Sequence, residues 1–336
     1  MNLIAGRSCP LAYRYGAAAL ARAPTRPVET LYLVGGLYGN LFALDCIQAL
    51  AEAEPAPVSL CFNGDFNWFN VDDEGFRAIN QVVLRHHATL GNVEFEFASA
   101  QDAAGCGCAY PATVEQGVVE RSNRIHAQLK NTARRHPHIL AQLAALPLFA
   151  RYQIGAIRIG VVHGDADSLA GWQFDGAELD RPANQSRIAA AFAAAEVDIF
   201  ASSHTCLPAL RQFGLTHGQG VVVNNGAAGL PNFRGRRSGL LTRISRHVSP
   251  HAPLYGSQLG EVRIDALPID YDGAAWQRHF LSLWPPGSDA HTSYFGRITD
   301  GPQYVPSQAH GPSRQSPGQR RPVSGSGAAS GTVPIR

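Results

Sequence analysis

Residues 58–68 read VSLCFNGDFNW, a strand pattern, VSLCF, that stops abruptly at Asn63-Gly64-Asp65. Three further apolar segments stop the same way. ATL ends in Gly91-Asn92, AIRIGVV in His163-Gly164-Asp165, and VDIFAS in Ser203-His204-Thr205. In an α/β sheet, ligands bind outside the carboxyl ends of strands. Singly, each polar residue reads as a turn, a cap or a hydrogen-bonded core side chain. Together they deliver one Asp, one Asn and two His to one kind of place. That mix of two oxygens and two imidazole nitrogens suits a divalent transition metal (Mn, Fe, Zn or Ni) better than Ca or Mg.

Working outward, strand and helix signals alternate. TLYLV (30–34) runs into Gly-Gly-Leu-Tyr-Gly-Asn and then a helical pattern over 39–53; a second amphipathic helix covers 72–87, and ATLGNVEFEFA reads as another strand region. This rhythm predicts a sheet with helices packed on it. Residues 100–147 interrupt it with a loop, AGCGCAYP, and helical patterns, which predict a helical cap. Strand signals then dominate to about residue 269, predicting a second sheet. The expected organisation is an N-terminal segment (1–28), a main domain (29–284) carrying the cap, a tail that docks on it (285–308), and a Pro/Gly/Ser-rich disordered end (309–336).

The 336 residues carry a net charge of +2, and Lys130 is the only lysine, so no basic groove for nucleic acid is expected. No apolar run reaches the length of a membrane span. Arg7, Arg14 and Arg22 interrupt the N-terminal stretch, unlike a secretion signal. Six cysteines without zinc-finger spacing fit reduced thiols, and a cytoplasmic location is expected.

In order and spacing, GGLYGNLFALDCI, FNGDFNW, TLGNVE, VVHGD, SSHTCLP and VVVNNGAAGLP resemble the calcineurin-like metallophosphoesterase superfamily over about residues 29–267. Members carry D-x-H, G-D-x-x-D, G-N-H-D/E, a lone His and G-H-x-H in that order. The resemblance implies an α/β fold, an αββα sandwich of two mixed sheets with flanking helices. It also implies metal-ligand roles for Asp65, Asn92, His163 and His204. The ligands of the family's other ion are replaced: Gly36 stands at the aspartate position, Tyr38 at the first histidine and Cys206 at the last. Trp68 replaces an acidic residue, and Val93 replaces the histidine thought to protonate the leaving group.

One complete four-ligand set is therefore kept and the other dismantled. The resemblance implies one ion, or two if the emptied half is rebuilt from Cys206, Tyr38 and the C-x-C thiols of Cys106 and Cys108, with Cys9 a further candidate. Against that stands the plainer reading, in which these residues pack as neutral groups. Arg234, Arg236 and Arg237, after the Asn-Asn-Gly strand end, are candidates to neutralise a phosphate. Asp165 and Asp167 are candidates to orient His163. The implied function is a divergent metal-dependent phosphoester hydrolase, a phosphatase or phosphodiesterase acting on a small phosphorylated substrate. The alternatives are a catalytically impaired binding or scaffold protein on the same fold, as in the superfamily's retromer subunit, and a thiol-metal or redox protein. Oligomeric state is left open.

Overall fold

In chain order the strands of the computed structural model begin with β1 (Thr25–Pro27), β2 (Thr30–Val34), β3 (Val58–Asn63) and β4 (His87–Thr89). They continue with β5 (Phe149–Ile154), β6 (Ile157–Val162), β7 (Ile199–Ser202) and β8 (Ala209–Leu215). The last four are β9 (Gly218–Asn224), β10 (Gly239–Ser245), β11 (Tyr255–Leu259) and β12 (Val262–Ile269). The structure describes residues 3–99, 102–216 and 218–311, and the expected disordered end lies, from residue 312 on, outside them.

Helices of the first half are α1 (Ala18–Ala21), α2 (Leu41–Glu52), α3 (Asp73–Val83), α4 (Asn92–Ala98), α5 (Gln116–Arg134) and α6 (Pro137–Ala144). Those of the second half are α7 (Gly176–Asp180), α8 (Gln185–Ala195), α9 (Gly273–Leu283), α10 (Asp289–Asp300) and α11 (Pro306–His310). Among the described residues, no helix is long and apolar enough to cross a membrane.

The strands form two mixed six-stranded sheets, ordered β1-β5-β6-β7-β9-β8 and β11-β12-β10-β2-β3-β4. The pairs β2·β3, β3·β4, β6·β7 and β7·β9 are parallel. Period-two alternation explains how the sheets meet. Leu31 and Leu33 of β2 join Ile159, Val161, Ile199, Val221 and Val223 in a core between the sheets. Tyr32 and Val34, on the opposite face of β2, pack with Phe76, Ile125 and Phe280 of the helices outside. A third cluster, with Leu20, Phe192, Phe200 and Val222, seats α1 and α8 on the far side of the other sheet. Each fully buried Leu, Ile, Val or Phe here contributes roughly 1.5–3 kcal/mol. The result is the four-layered αββα sandwich that the resemblance implies.

One expectation is met in part and one changes. β5 to β9, all after residue 148, build the second sheet with only β1 from earlier in the chain, while β10, β11 and β12 join the sheet of β2–β4. VEFEF is helix, not strand. Its alternation of Val93, Phe95 and Phe97 with glutamates imitates a half-buried strand, yet Glu94 and Glu96 are themselves buried. Glu94 accepts the backbone N–H groups of Asp65 and Asn67, and Glu96 accepts the Tyr13 hydroxyl (2.7 Å). Within 285–308, α10 buries Tyr294, Arg297 and Ile298 against the body.

Candidate metal centre

Asp65 follows β3, Asn92 opens α4 just after β4, His163 follows β6 and His204 follows β7. All four are thus brought to the carboxyl ends of parallel strands, and all are buried. Tight backbone makes this convergence fit. Gly64 has φ +76°, and a Cβ there would strike Gly91 and His163. Asp65 itself sits at φ 55°, a left-handed conformation that non-glycine residues adopt only where the surroundings impose it.

His163 Nδ1 lies 2.8 Å from the Asn63 carbonyl, and His204 Nε2 lies 2.9 Å from the Cys108 carbonyl. A carbonyl only accepts, so each of these nitrogens carries a proton. That leaves His163 Nε2 and His204 Nδ1 pointing at one another, 3.2 Å apart. Asn92 Oδ1 stands 3.2 Å and Asp65 Oδ2 3.4 Å from the same His163 Nε2. Asn92 is fixed in this sense because its Nδ2 donates to the Cys106 carbonyl (2.8 Å). With neutral imidazoles, four acceptor atoms face one another in a buried space with no donor among them. A bound cation or a proton on His163 Nε2 relieves that arrangement, and Asp65, His163 and His204 have the mutual spacing of metal ligands. Imidazoles whose other N–H is bound to a carbonyl are the usual form of ligating histidine. The residues therefore fit a divalent transition ion.

Without an ion, the charges at the centre favour a proton on His163 beside an ionised Asp65. Burial alone depresses the His163 imidazolium, but the adjacent Asp65 carboxylate reverses this and raises its pKa. Burial pushes Asp65 up, and His163 and His204 hold it below its ordinary value nonetheless. Glu94 is pushed up to about 7 by burial and by the Asp65 charge. Its carboxylate spans the backbone N–H groups of Asp65 (2.8 Å) and Asn67 (3.0 Å) and so holds the turn that carries Asp65. Glu94 was not among the sequence candidates, although it stands in TLGNVE at the acidic position of G-N-H-D/E.

The other half of the crevice is closed. A Cβ at Gly36 would collide with the Tyr38 ring, which lies back over that glycine. The Tyr38 hydroxyl donates to Cys206 Sγ (2.8 Å), and Cys206 Sγ donates to the His204 carbonyl (3.2 Å). Burial raises the Tyr38 pKa well above its ordinary value and keeps the phenol protonated.

The C-x-C loop does fold over the centre, but it acts through its backbone. Cys106 and Cys108 offer carbonyls to Asn92 and His204, while their thiols are buried. Among the described residues no cysteine joins a metal-competent cluster, and all six are free thiols. Cys9 lies elsewhere, with Sγ 3.1 Å from Ser168 Oγ.

Two other assignments are corrected. Asp165 does not orient His163, because its oxygens accept the N–H groups of Asp167, Ser168 and Gln173. Asp167 accepts the Ala17 N–H (3.3 Å), tying this loop to the N-terminal segment. Asn63, through its carbonyl, takes the orienting role instead. Arg234, Arg236 and Arg237 are exposed and line no part of the cavity at the centre. The arginine that does is Arg297 of α10. That cavity, of about 40 Å³, is also bordered by Tyr38, Asp65, Trp68, Asn92 and His204. Trp172 closes one wall, crossing the His204 ring edge-on and donating Nε1–H to the Cys108 carbonyl (3.0 Å).

The sequence matches no protein-family profile and no curated protein. Solved structures do match. A metallophosphoesterase from Sphaerobacter thermophilus is 14% identical with TM-score 0.51, over 81% of this chain and 99% of its own. A hypothetical protein from Pyrococcus horikoshii is 16% identical with TM-score 0.52, over 82% of this chain and 99% of its own. At such identity the likeness speaks for the fold. Strand order, layers and backbone likeness agree: this chain has the calcineurin-like metallophosphoesterase fold.

Proposed function

We propose that the protein is a metal-dependent phosphoester hydrolase that works with one divalent transition ion held by Asp65, Asn92, His163 and His204. The observation that carries this reading is the convergence of Asp65 Oδ2, Asn92 Oδ1 and His204 Nδ1 on His163 Nε2, with the outer nitrogen of each imidazole bound to a backbone carbonyl. The ion, when bound, supplies Lewis acidity toward a phosphoryl oxygen. The chain's own residues orient the ligands and exclude water. Cys106 and Cys108 carbonyls fix Asn92 and His204, Glu94 fixes the Asp65 turn, and Trp172 and Tyr294 wall the cavity. Val93 has no proton to give a leaving group, which removes an effect of roughly 10²–10⁴-fold where such groups act. The favoured substrate is thus a phosphodiester or another ester with a good leaving group.

Elemental analysis of protein purified without chelators tests the reading. About one ion per chain, lost in His204→Ala together with hydrolysis of bis(p-nitrophenyl) phosphate, is the expected result. An apo protein that takes up no Zn, Mn or Fe on reconstitution would overturn it. The second reading, a binding protein on the same fold, draws on one observation: the Tyr38 ring fills the space over Gly36, as in a site given over to packing.

A further inference from the structure

We propose that Arg297 and Trp68 form an oxyanion subsite beside the four ligands, in which a guanidinium supplies the positive charge that a second ion supplies in two-metal sites. This rests on the hydrolase reading for its context but on separate residues for its evidence. Arg297 is 6% exposed. Its Nε donates to the Pro231 carbonyl (3.0 Å) and its Nη2 to the Cys206 carbonyl (2.9 Å), so the group is held rigidly. Its Nη1 is buried with no hydrogen-bond partner. Trp68, 3% exposed, likewise has a buried Nε1–H with no partner.

Other buried polar atoms in the protein are also unpaired, so one orphan alone signals little. Here two residues that each carry a donor without an acceptor line one cavity, and Asp65, Asn92 and His204 line it too. Leaving a buried donor unmade is costly, more so for a charged group. Both need an acceptor, and the guanidinium needs a negative one. A cavity of about 40 Å³ offers the space of roughly three water molecules and so admits only a small group. A tetrahedral oxyanion, the phosphoryl group of an ester or inorganic phosphate itself, meets these demands. Guanidinium is the side chain best matched to it.

The location is informative. Arg297 is anchored on the backbone of Cys206, the residue standing where the last histidine of the lost ion would stand. Two metals clamp both sides of a phosphoryl group. Asp65, Asn92, His163 and His204 would hold one ion, and Arg297, lining the cavity and anchored at Cys206, would supply the second positive charge without a second ion. Asp65 borders the same space and opposes an anion, so the subsite is expected to strengthen when the ion neutralises it.

The test is calorimetric titration of inorganic phosphate into wild type, Arg297→Met and Trp68→Phe, each with and without Mn, alongside metal content. The expected result is phosphate binding about tenfold or more weaker in Arg297→Met and severalfold weaker in Trp68→Phe, with metal content unchanged. If Arg297→Met fails to fold, Trp68→Phe decides, because it keeps the ring and removes only the N–H. Equal phosphate affinity in all three proteins, or none in any, overturns the subsite and leaves a metal-loaded protein free to be a hydrolase. Arg297-dependent phosphate binding in a protein that takes up no metal supports the subsite and sinks the hydrolase reading. An adventitious affinity for any anion is recognised by sulfate and chloride competing as well as phosphate does, which also overturns it. Free phosphate and a phosphorylated ligand are told apart by repeating the titration with phenyl phosphate.

Discussion

Gly36 and Tyr38 are a matched pair. The ring occupies the space a side chain at residue 36 would need, and the phenol reaches Cys206 across the crevice. Tyr38, Asp65 and Cys206 all hold left-handed φ angles (53°, 55° and 60°), so the backbone is bent to the needs of this site on both halves. The three changes therefore belong together and should be reversible only together. Gly36→Asp alone forces the Tyr38 ring aside and is expected to cost about 1–3 kcal/mol in urea unfolding. The triple variant Gly36→Asp, Tyr38→His, Cys206→His removes the clash and supplies one carboxylate and two imidazoles. Elemental analysis should then show metal content rising from about one toward two ions per chain. A folded triple variant with unchanged metal content would mean that the backbone of the emptied half no longer presents ligands.

At the scale of elements, the loop of residues 102–115 matters more for its carbonyls than for its side chains. It crosses the centre so that Cys106 O holds Asn92 and Cys108 O holds His204. The thiols are by-products of that path. Replacing both, as Cys106→Ser with Cys108→Ser, is expected to leave metal content unchanged, because the short contacts at 2.8 and 2.9 Å are made by main chain and the one thiol contact, Asn92 Nδ2 to Cys108 Sγ at 3.5 Å, is to an acceptor that a serine hydroxyl replaces. A loss of metal in that variant, with the fold intact by circular dichroism, would restore the thiol-metal reading. α4 belongs to the same logic. Its first turn places Asn92 in the centre, while Glu94 reaches back to the Asp65 turn, so one short helix positions two of the four candidate ligands.

Across the whole molecule, the cap is joined to the centre through His126 of α5. Its Nε2 lies 3.2 Å from the Val93 carbonyl, and its ring stacks on Phe97. Burial pushes its pKa down to about 4. The sign follows from linkage. A histidine held neutral in the fold binds its proton more readily when unfolded, near its ordinary value of about 6.5. Its contribution is thus complete above about pH 6.5 and is lost as pH falls toward about 4. Urea midpoints of wild type should fall more steeply between pH 7 and pH 4.5 than those of His126→Gln, by an amount approaching roughly 3 kcal/mol. His163, whose pKa is raised, acts in the opposite sense in both proteins, so the difference isolates His126. Parallel curves would count against a buried neutral His126.

The four strand ends were legible because each signal is local: an apolar run, a glycine and a polar side chain within a few residues. The alternation of β2, facing Leu31 and Leu33 one way and Tyr32 and Val34 the other, was equally local and determined that the sheet is covered on both faces. The sequence alone also determined which candidate ligand types stand at those strand ends: one Asp, one Asn and two His. Tertiary structure decided what joins them. Strands from the second half divide between two sheets because pairing depends on partners up to about two hundred residues away, as in β10 against β2. VEFEF became helix because Asp65, Asn67 and Tyr13, distant in sequence, bury its glutamates. The groups orienting Asn92 and both histidines are main-chain carbonyls, which every residue possesses and no residue letter distinguishes. Arg297 reaches the cavity only because α10 docks there, whereas the Arg234 cluster, adjacent in sequence to a site motif, turns outward to solvent.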